Sequence, residues 1–168
     1  MSLAVLYNST YGSTERYARE FAQRHGVQAQ ELAQVDLAPE VTDIVVFSPN
    51  YAGQVSGAKW LAGQELAGKR SALAIVGMTL IDEARAKDGV AGALGDKADQ
   101  ITRFYLPGCL AYSKLSRVHK ATMWTMNKML KAKKDRSENE EAMLRGYNTD
   151  EDRVDFAELD AIDRWLNA

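Results

Sequence analysis

A chain of 168 residues is short for more than one domain, yet long enough to bury a substantial core. Its 21 Lys and Arg against 23 Asp and Glu leave a net charge of -2, which gives no global attraction to nucleic acid. The single cysteine, Cys109, excludes an intrachain disulfide or multi-thiolate metal cluster, and no apolar run approaches the ~20 residues that span a bilayer. The first such run, Leu3 to Leu6, also lacks the basic flank of a secretory signal, so a cytoplasmic location is expected, with peripheral contact to the cytoplasmic membrane left open.

In chain order, Leu3-Ala4-Val5-Leu6-Tyr7 predicts a strand that feeds directly into Asn8-Ser9-Thr10-Tyr11-Gly12-Ser13-Thr14-Glu15. A strand that ends in hydroxyl residues and a glycine before a helix is the layout of an anion cradle. No lysine follows Gly12, so this is not a nucleoside-triphosphate loop, and the three spaced glycines of a dinucleotide site are missing. A mononucleotide phosphate fits better, held by Ser9, Thr10, Ser13 and Thr14 with backbone from Tyr11 and Gly12. Ser13 acting only as a helix cap is the competing reading.

Thr14 to Arg24 has helical spacing of Tyr17, Ala18, Phe21 and Ala22, and His25 near its end is assigned to the terminal carbonyls. Gln28 to Leu32 predicts a weak edge strand, and Ile44 to Phe47 a strand buried on both faces. Ser48-Pro49-Asn50-Tyr51-Ala52-Gly53 breaks it. A helix is expected over Ser56 to Leu66, a strand over Ala72 to Val76, a loop at Gly77-Met78-Thr79, a helix over Asp82 to Leu94 weakened by Gly89 and Gly92, and a fifth strand over Ile101 to Leu106. Five strands separated by helix-length segments predict a mostly parallel sheet covered on both faces. Ligands of such sheets gather beyond the strands' carboxyl ends, where residues 8–14, 48–53 and 77–79 would converge.

Read as a flavin site, these loops offer phosphate donors in the first and a stacking ring, Tyr51, in the second, with Trp60 as the less well placed alternative. Gly53 allows close backbone approach beside Pro49, Asn50 and Ala52, while Gly77, Met78 and Thr79 reach the pyrimidine edge. No residue is assigned to catalysis or metal binding. A lone helical histidine, His119, offers a proton relay near the substrate but is read as structural, Asp82 and Glu83 as a helix start, and Asp150 to Asp155 as an acidic surface turn.

The last third departs from strand and helix alternation. Leu115 to Lys134 predicts a helix with Leu115, Val118, His119, Thr122, Met123, Met126, Met129 and Leu130 along one side. Eight of the 21 basic residues fall within positions 114–136, against the single acid Asp135. The apolar side either touches lipid or a flat substrate while the cations meet anions, or packs on the domain and leaves the lysines in solvent. Phe156 to Leu166 closes the chain as a helix, with Asp163 at its margin.

The first loop, the segment Phe47-Ser48-Pro49-Asn50-Tyr51-Ala52-Gly53 and the run Pro107-Gly108-Cys109-Leu110-Ala111-Tyr112-Ser113-Lys114-Leu115 before a Met- and Lys-rich helix together resemble the flavodoxin fold family, and more closely its protoporphyrinogen-oxidase-like branch. Tyr11 departs from the threonine or serine common there. The resemblance implies one α/β domain over 1–168: a flavodoxin-like three-layer sandwich with a five-stranded parallel sheet and a late basic amphipathic insertion at about 110–146. It also implies non-covalent FMN and an oxidoreductase resembling menaquinone-dependent protoporphyrinogen IX oxidase of haem synthesis. A flavodoxin-like electron carrier serving a redox protein is the alternative, and a regulatory domain without cofactor a third. The expected partners are a porphyrinogen or other small redox substrate, a quinone or redox protein as acceptor, a membrane surface through 114–136 and a second copy of the chain, but not nucleic acid.

Overall fold

The computed structural model describes residues 2–35 and 37–168. A single parallel sheet in the order β2-β1-β3-β4-β5 forms from β1 (Leu3–Tyr7), β2 (Ala29–Glu31), β3 (Asp43–Pro49), β4 (Arg70–Gly77) and β5 (Ile101–Pro107). All seven residues of β3 are buried, as a continuous apolar run requires when both faces are covered. The polar β2 takes the edge, as expected of it.

Alternation along the strands divides the core into two layers. Val45 and Phe47 pack with Tyr17 and Phe21 of α1 (Ser13–Arg24) and Ile162 of α7 (Asp160–Leu166). Ile44 and Val46 face the other way, onto Ala58 and Leu61 of α2 (Ser56–Ala62) and Leu94 of α4 (Ala91–Leu94). Each such fully buried large side chain contributes about 1.5–3 kcal/mol by leaving water, so the two layers carry most of the stability. The flavodoxin-like three-layer architecture follows.

Several local expectations are corrected. The helix over Ser56 to Leu66 stops at Ala62, where Gly63 caps it. The helix over Asp82 to Leu94 is two short helices, α3 (Ile81–Lys87) and α4, because Asp88 turns to φ 38 and its carboxylate accepts from Arg103 Nε at 2.8 Å and Tyr105 Oη at 2.5 Å. His25 Nε2 lies 2.7 Å from Asp163 Oδ1 on α7, so it joins two helices instead of serving only the end of its own.

The late segment is fastened by a two-stranded antiparallel pair, β6 (Cys109–Leu110) with β7 (Glu151–Asp152), in place of the acidic turn expected there. Between them lie α5 (Arg117–Ala132) and α6 (Glu138–Arg145). Ser116 caps α5 by accepting from the His119 amide at 3.2 Å. A reciprocal Ser137 and Glu140 capping box starts α6, and its S-x-x-E spelling was the available sequence signal for a helix not anticipated. Leu80 N donates to Asn139 Oδ1 at 2.9 Å and ties α6 to the sheet domain. No helix among the described residues is long and apolar enough to cross a membrane.

Candidate functional site

Since β1 pairs with β2 on one side and β3 on the other, the chain leaves β1 and β3 in opposite directions and a crevice opens at their carboxyl ends. Into it turns the loop 8–14. Gly12 sits at φ 97 as the residue preceding α1; a Cβ there would meet nothing within 4 Å, so the left-handed backbone, not space, is what calls for glycine. Ser9 Oγ accepts from the Gly12 amide at 3.0 Å and shapes the turn. Ser13 begins the helix without capping it, which removes the competing reading.

The loop leaves polar atoms without partners. Thr14 is 1% exposed, and its Oγ1 has no hydrogen-bond partner; neither does the buried Oδ1 of Asn8. The first amides of α1 are likewise unsatisfied by the helix. Nearby arginines are already engaged, Arg16 with Asp152 at 2.7 Å and Arg19 with Glu15 at 2.6 Å. A ligand phosphate there would be met by hydroxyl and amide dipoles and the helix end.

The second loop is a tight turn. Asn50 Oδ1 accepts from the Gly53 amide at 2.8 Å, while Ala52 at φ 51 and Gly53 at φ 84 both occupy the left-handed region. Ala52 there costs on the order of 1–2 kcal/mol, a strain held by the Tyr51 to Gln54 bridge. Burial pushes the Tyr51 phenol up, opposed by hydrogen bonding to Thr10, so the first two loops touch. In the third loop Gly77 O accepts from the Gly108 amide at 2.8 Å, and a Cβ on Gly108 would come within 3.2 Å of the Gly77 backbone. Arg153 Nη1 donates to Met78 O at 3.2 Å while the same guanidinium grips Glu151 at 2.7 and 2.9 Å.

One cavity of about 290 Å³ joins Tyr11, Ser13, Pro49, Asn50, Tyr51, Ala52, Gly53, Gly77, Met78 and Thr79. That volume is just below the ~300–1,000 Å³ usual for small-molecule sites. Ser9, Thr10, Gly12 and Thr14 do not line it; they form the adjoining loop. Trp60 packs against the α2 side of the core and does not replace Tyr51.

Insertion residues outside the three loops complete the walls: Leu110, Leu115, His119, Thr122, Met123, Met126 and Met143, of which Leu110 and Met143 were assigned no role from the sequence. The side predicted for α5 divides. His119, Met123 and Met126 turn to the cavity, whereas Val118 and Met129 are 73% and 68% exposed. Spacing of i, i+4 and i+7 from His119 was the signal. Tyr11 Oη is 2.5 Å from His119 Nδ1, and Tyr11, Tyr51 and His119 stand with their ring centroids 5.7 Å apart in each pair. Burial first, and Asp152 second, push the Cys109 thiol up, so it is not a ready thiolate. No group of His, Cys, Asp and Glu among the described residues is arranged for a metal.

An orphaned threonine hydroxyl and free helix amides at one end, and a mostly apolar slot with Tyr51 at the other, fit a flavin mononucleotide: anionic tail, flat ring. Its phosphate would be held by Ser9 to Thr14, its ring by residues 49–53 and 77–79. No curated protein matches the chain. A family model of the flavodoxin domain matches residues 4–137. That family generally binds FMN, and its match spans the sheet, all three loops and α5. On this fold, loop geometry and match, the chain belongs to the flavodoxin domain family.

Proposed function

We propose that the chain is an FMN-dependent oxidoreductase that acts on a small, flat, largely apolar donor, of the kind that oxidises protoporphyrinogen IX in haem synthesis with a membrane quinone as acceptor. The observation that carries this reading is the methionine wall: Met123 and Met126 of α5 and Met143 of α6 line the same cavity as the three loops. A carrier that passes electrons to proteins needs an open flavin edge, whereas a covered, apolar slot suits a donor that enters it. FMN would supply the two-electron acceptor, used in repeated cycles. The chain's own residues bind, orient and cover.

The outer side of α5 supports a membrane-borne acceptor. Val118 and Met129 are exposed on one flank of α5, and Trp124 on the face turned from the cavity, where Lys128 Nζ lies 4.5 Å over its ring and Arg117 and Lys131 share its side of the helix. An amphipathic helix of this composition docks on anionic headgroups. Anaerobic titration of the FMN-loaded protein with protoporphyrinogen IX tests the proposal. Bleaching of the oxidised-flavin band well above the rate of free FMN is expected. An FMN-loaded protein that porphyrinogen leaves oxidised, but that exchanges electrons rapidly with a redox protein, is instead a carrier.

A further inference from the structure

Six ionisable side chains line the cavity: Tyr11, Tyr51, Cys109, His119, Glu151 and Arg153. Four of them are paired with each other or held back from releasing a proton. Glu151 and Arg153 neutralise each other in a two-point contact, and burial pushes both the Tyr51 phenol and the Cys109 thiol up. Tyr11 is bound to the sixth group, the imidazole of His119, the side-chain type that most often serves as a general base. Tyr11 Oη takes His119 Nδ1, and Nε2 has no protein partner among the described residues. Lys120, the cation beside His119 on α5, lies 6.0 Å over the Tyr112 ring and bonds Ser113 O at 3.5 Å.

Tyr11 suits the role for a further reason. Its hydroxyl oxygen, within 3.4 Å of the Ser116 amide, can accept Nδ1–H from neutral or protonated imidazole. The ring therefore stays in place while Nε2 gains or loses a proton. The second histidine, His25, is spent on Asp163 at the opposite end of α1.

We infer that His119 is the proton-exchanging catalytic residue of the cavity, with Tyr11 as its positioning partner, for a donor that loses a C–H and an adjacent N–H hydrogen. This rests on the FMN oxidoreductase reading. The C–H bond breaks and its hydrogen leaves with the electron pair to the bound flavin, which is reduced. The N–H bond breaks, its proton passes to Nε2, its electrons stay with the donor and a C=N bond forms. The donor is thereby oxidised by two electrons, and imidazolium returns the proton to water before the next cycle. Reduced pyrrolic compounds, with a methylene beside an N–H ring, have this pattern.

Two measurements on the FMN-loaded full chain test it. In the first, flavin reduction by protoporphyrinogen IX is followed by anaerobic stopped flow in the wild type, His119→Gln and Tyr11→Phe. His119→Gln is expected to slow reduction by about 100-fold or more with FMN held saturating, and to abolish the wild-type rise of rate with pH near neutrality. Tyr11→Phe should slow it less and keep that rise. Equal rates in wild type and His119→Gln overturn the inference while leaving the oxidoreductase reading intact. In the second, the His119 ring is titrated by NMR with the flavin oxidised and then reduced by dithionite. Added negative charge in the cavity should raise its apparent pKa, and an identical titration in both states overturns the inference even where porphyrinogen is not the donor. No reduction by porphyrinogen in any variant, with the NMR shift present, removes the porphyrinogen reading and keeps His119 as the proton carrier.

Discussion

The sheet domain and the segment between β6 and β7 bury their side chains in different ways. In the first, Ile44, Val45, Val46 and Phe47 are sealed between helices on both faces. In the second, the 16-residue α5 buries only Asn127, and polar clasps hold the segment: Tyr11 to His119, Lys133 to Glu140 at 2.8 Å, and Arg136 to Lys133 O at 2.7 Å. Stability therefore resides in the sheet. The insertion contributes a cavity wall on one side and leaves Val118, Trp124 and Met129 exposed on its other sides.

The contrast is sharpest in stability. Phe47→Ala is expected to cost about 3–5 kcal/mol in urea unfolding, because the ring fills a closed layer, whereas Trp124→Ala should change it by less than about 0.5 kcal/mol. Comparable losses would break the division. The next effect is electrostatic: Lys128, Lys131 and Lys134 to glutamate together should weaken cosedimentation with anionic vesicles at least about 100-fold, at ~1 kcal/mol per lost cation and more for the added anions, without loss of FMN. Lys133 is left in place because it holds Glu140. Vesicle binding equal to wild type would remove the membrane role of α5.

Smaller effects belong to the loop and to the sheet's lower layer. Gly12→Asp should weaken FMN at least about tenfold, since it adds a carboxylate near the phosphate and puts a side chain on a φ of 97. Unchanged affinity by fluorescence titration would refute the phosphate assignment. Tyr17 is buried, donates to Pro107 O at 2.7 Å and accepts from the Asp155 amide at 2.9 Å; burial chiefly pushes its phenol up to about 12 from 10.0. A phenol raised in the folded state contributes stability that is full below pH 10 and lost as pH rises towards 12. Tyr17→Phe should flatten that alkaline fall in a series of denaturation curves; an undiminished fall would assign it to other groups, Tyr105 among them.

What could be read from the sequence follows the same boundary. Buried parallel strands announce themselves as runs such as Ile44 to Phe47 because both faces demand apolar residues, and glycine and hydroxyls mark the loop after β1 because its backbone does. The sequence could not show contacts made across the chain. β6 and β7 are two residues each and pair over some forty positions; His25 meets Asp163 across more than a hundred; Asp88 breaks a helix to reach Arg103 and Tyr105. For α5 the periodicity predicted the helix but merged two sides, since Val118 and His119 stand about 100° apart around it and only the packed neighbours decide which faces the cavity.

In the FMN reading, the loop 8–14 holds the phosphate of a flavin whose ring enters the cavity behind α5. Parallel fluorescence titrations of the purified chain with FMN and with riboflavin, which lacks the phosphate, test it most directly. Stoichiometric FMN binding at least about 100-fold tighter than riboflavin is predicted, with Thr14→Val narrowing the gap. Equal affinities, or no binding of either, would contradict it.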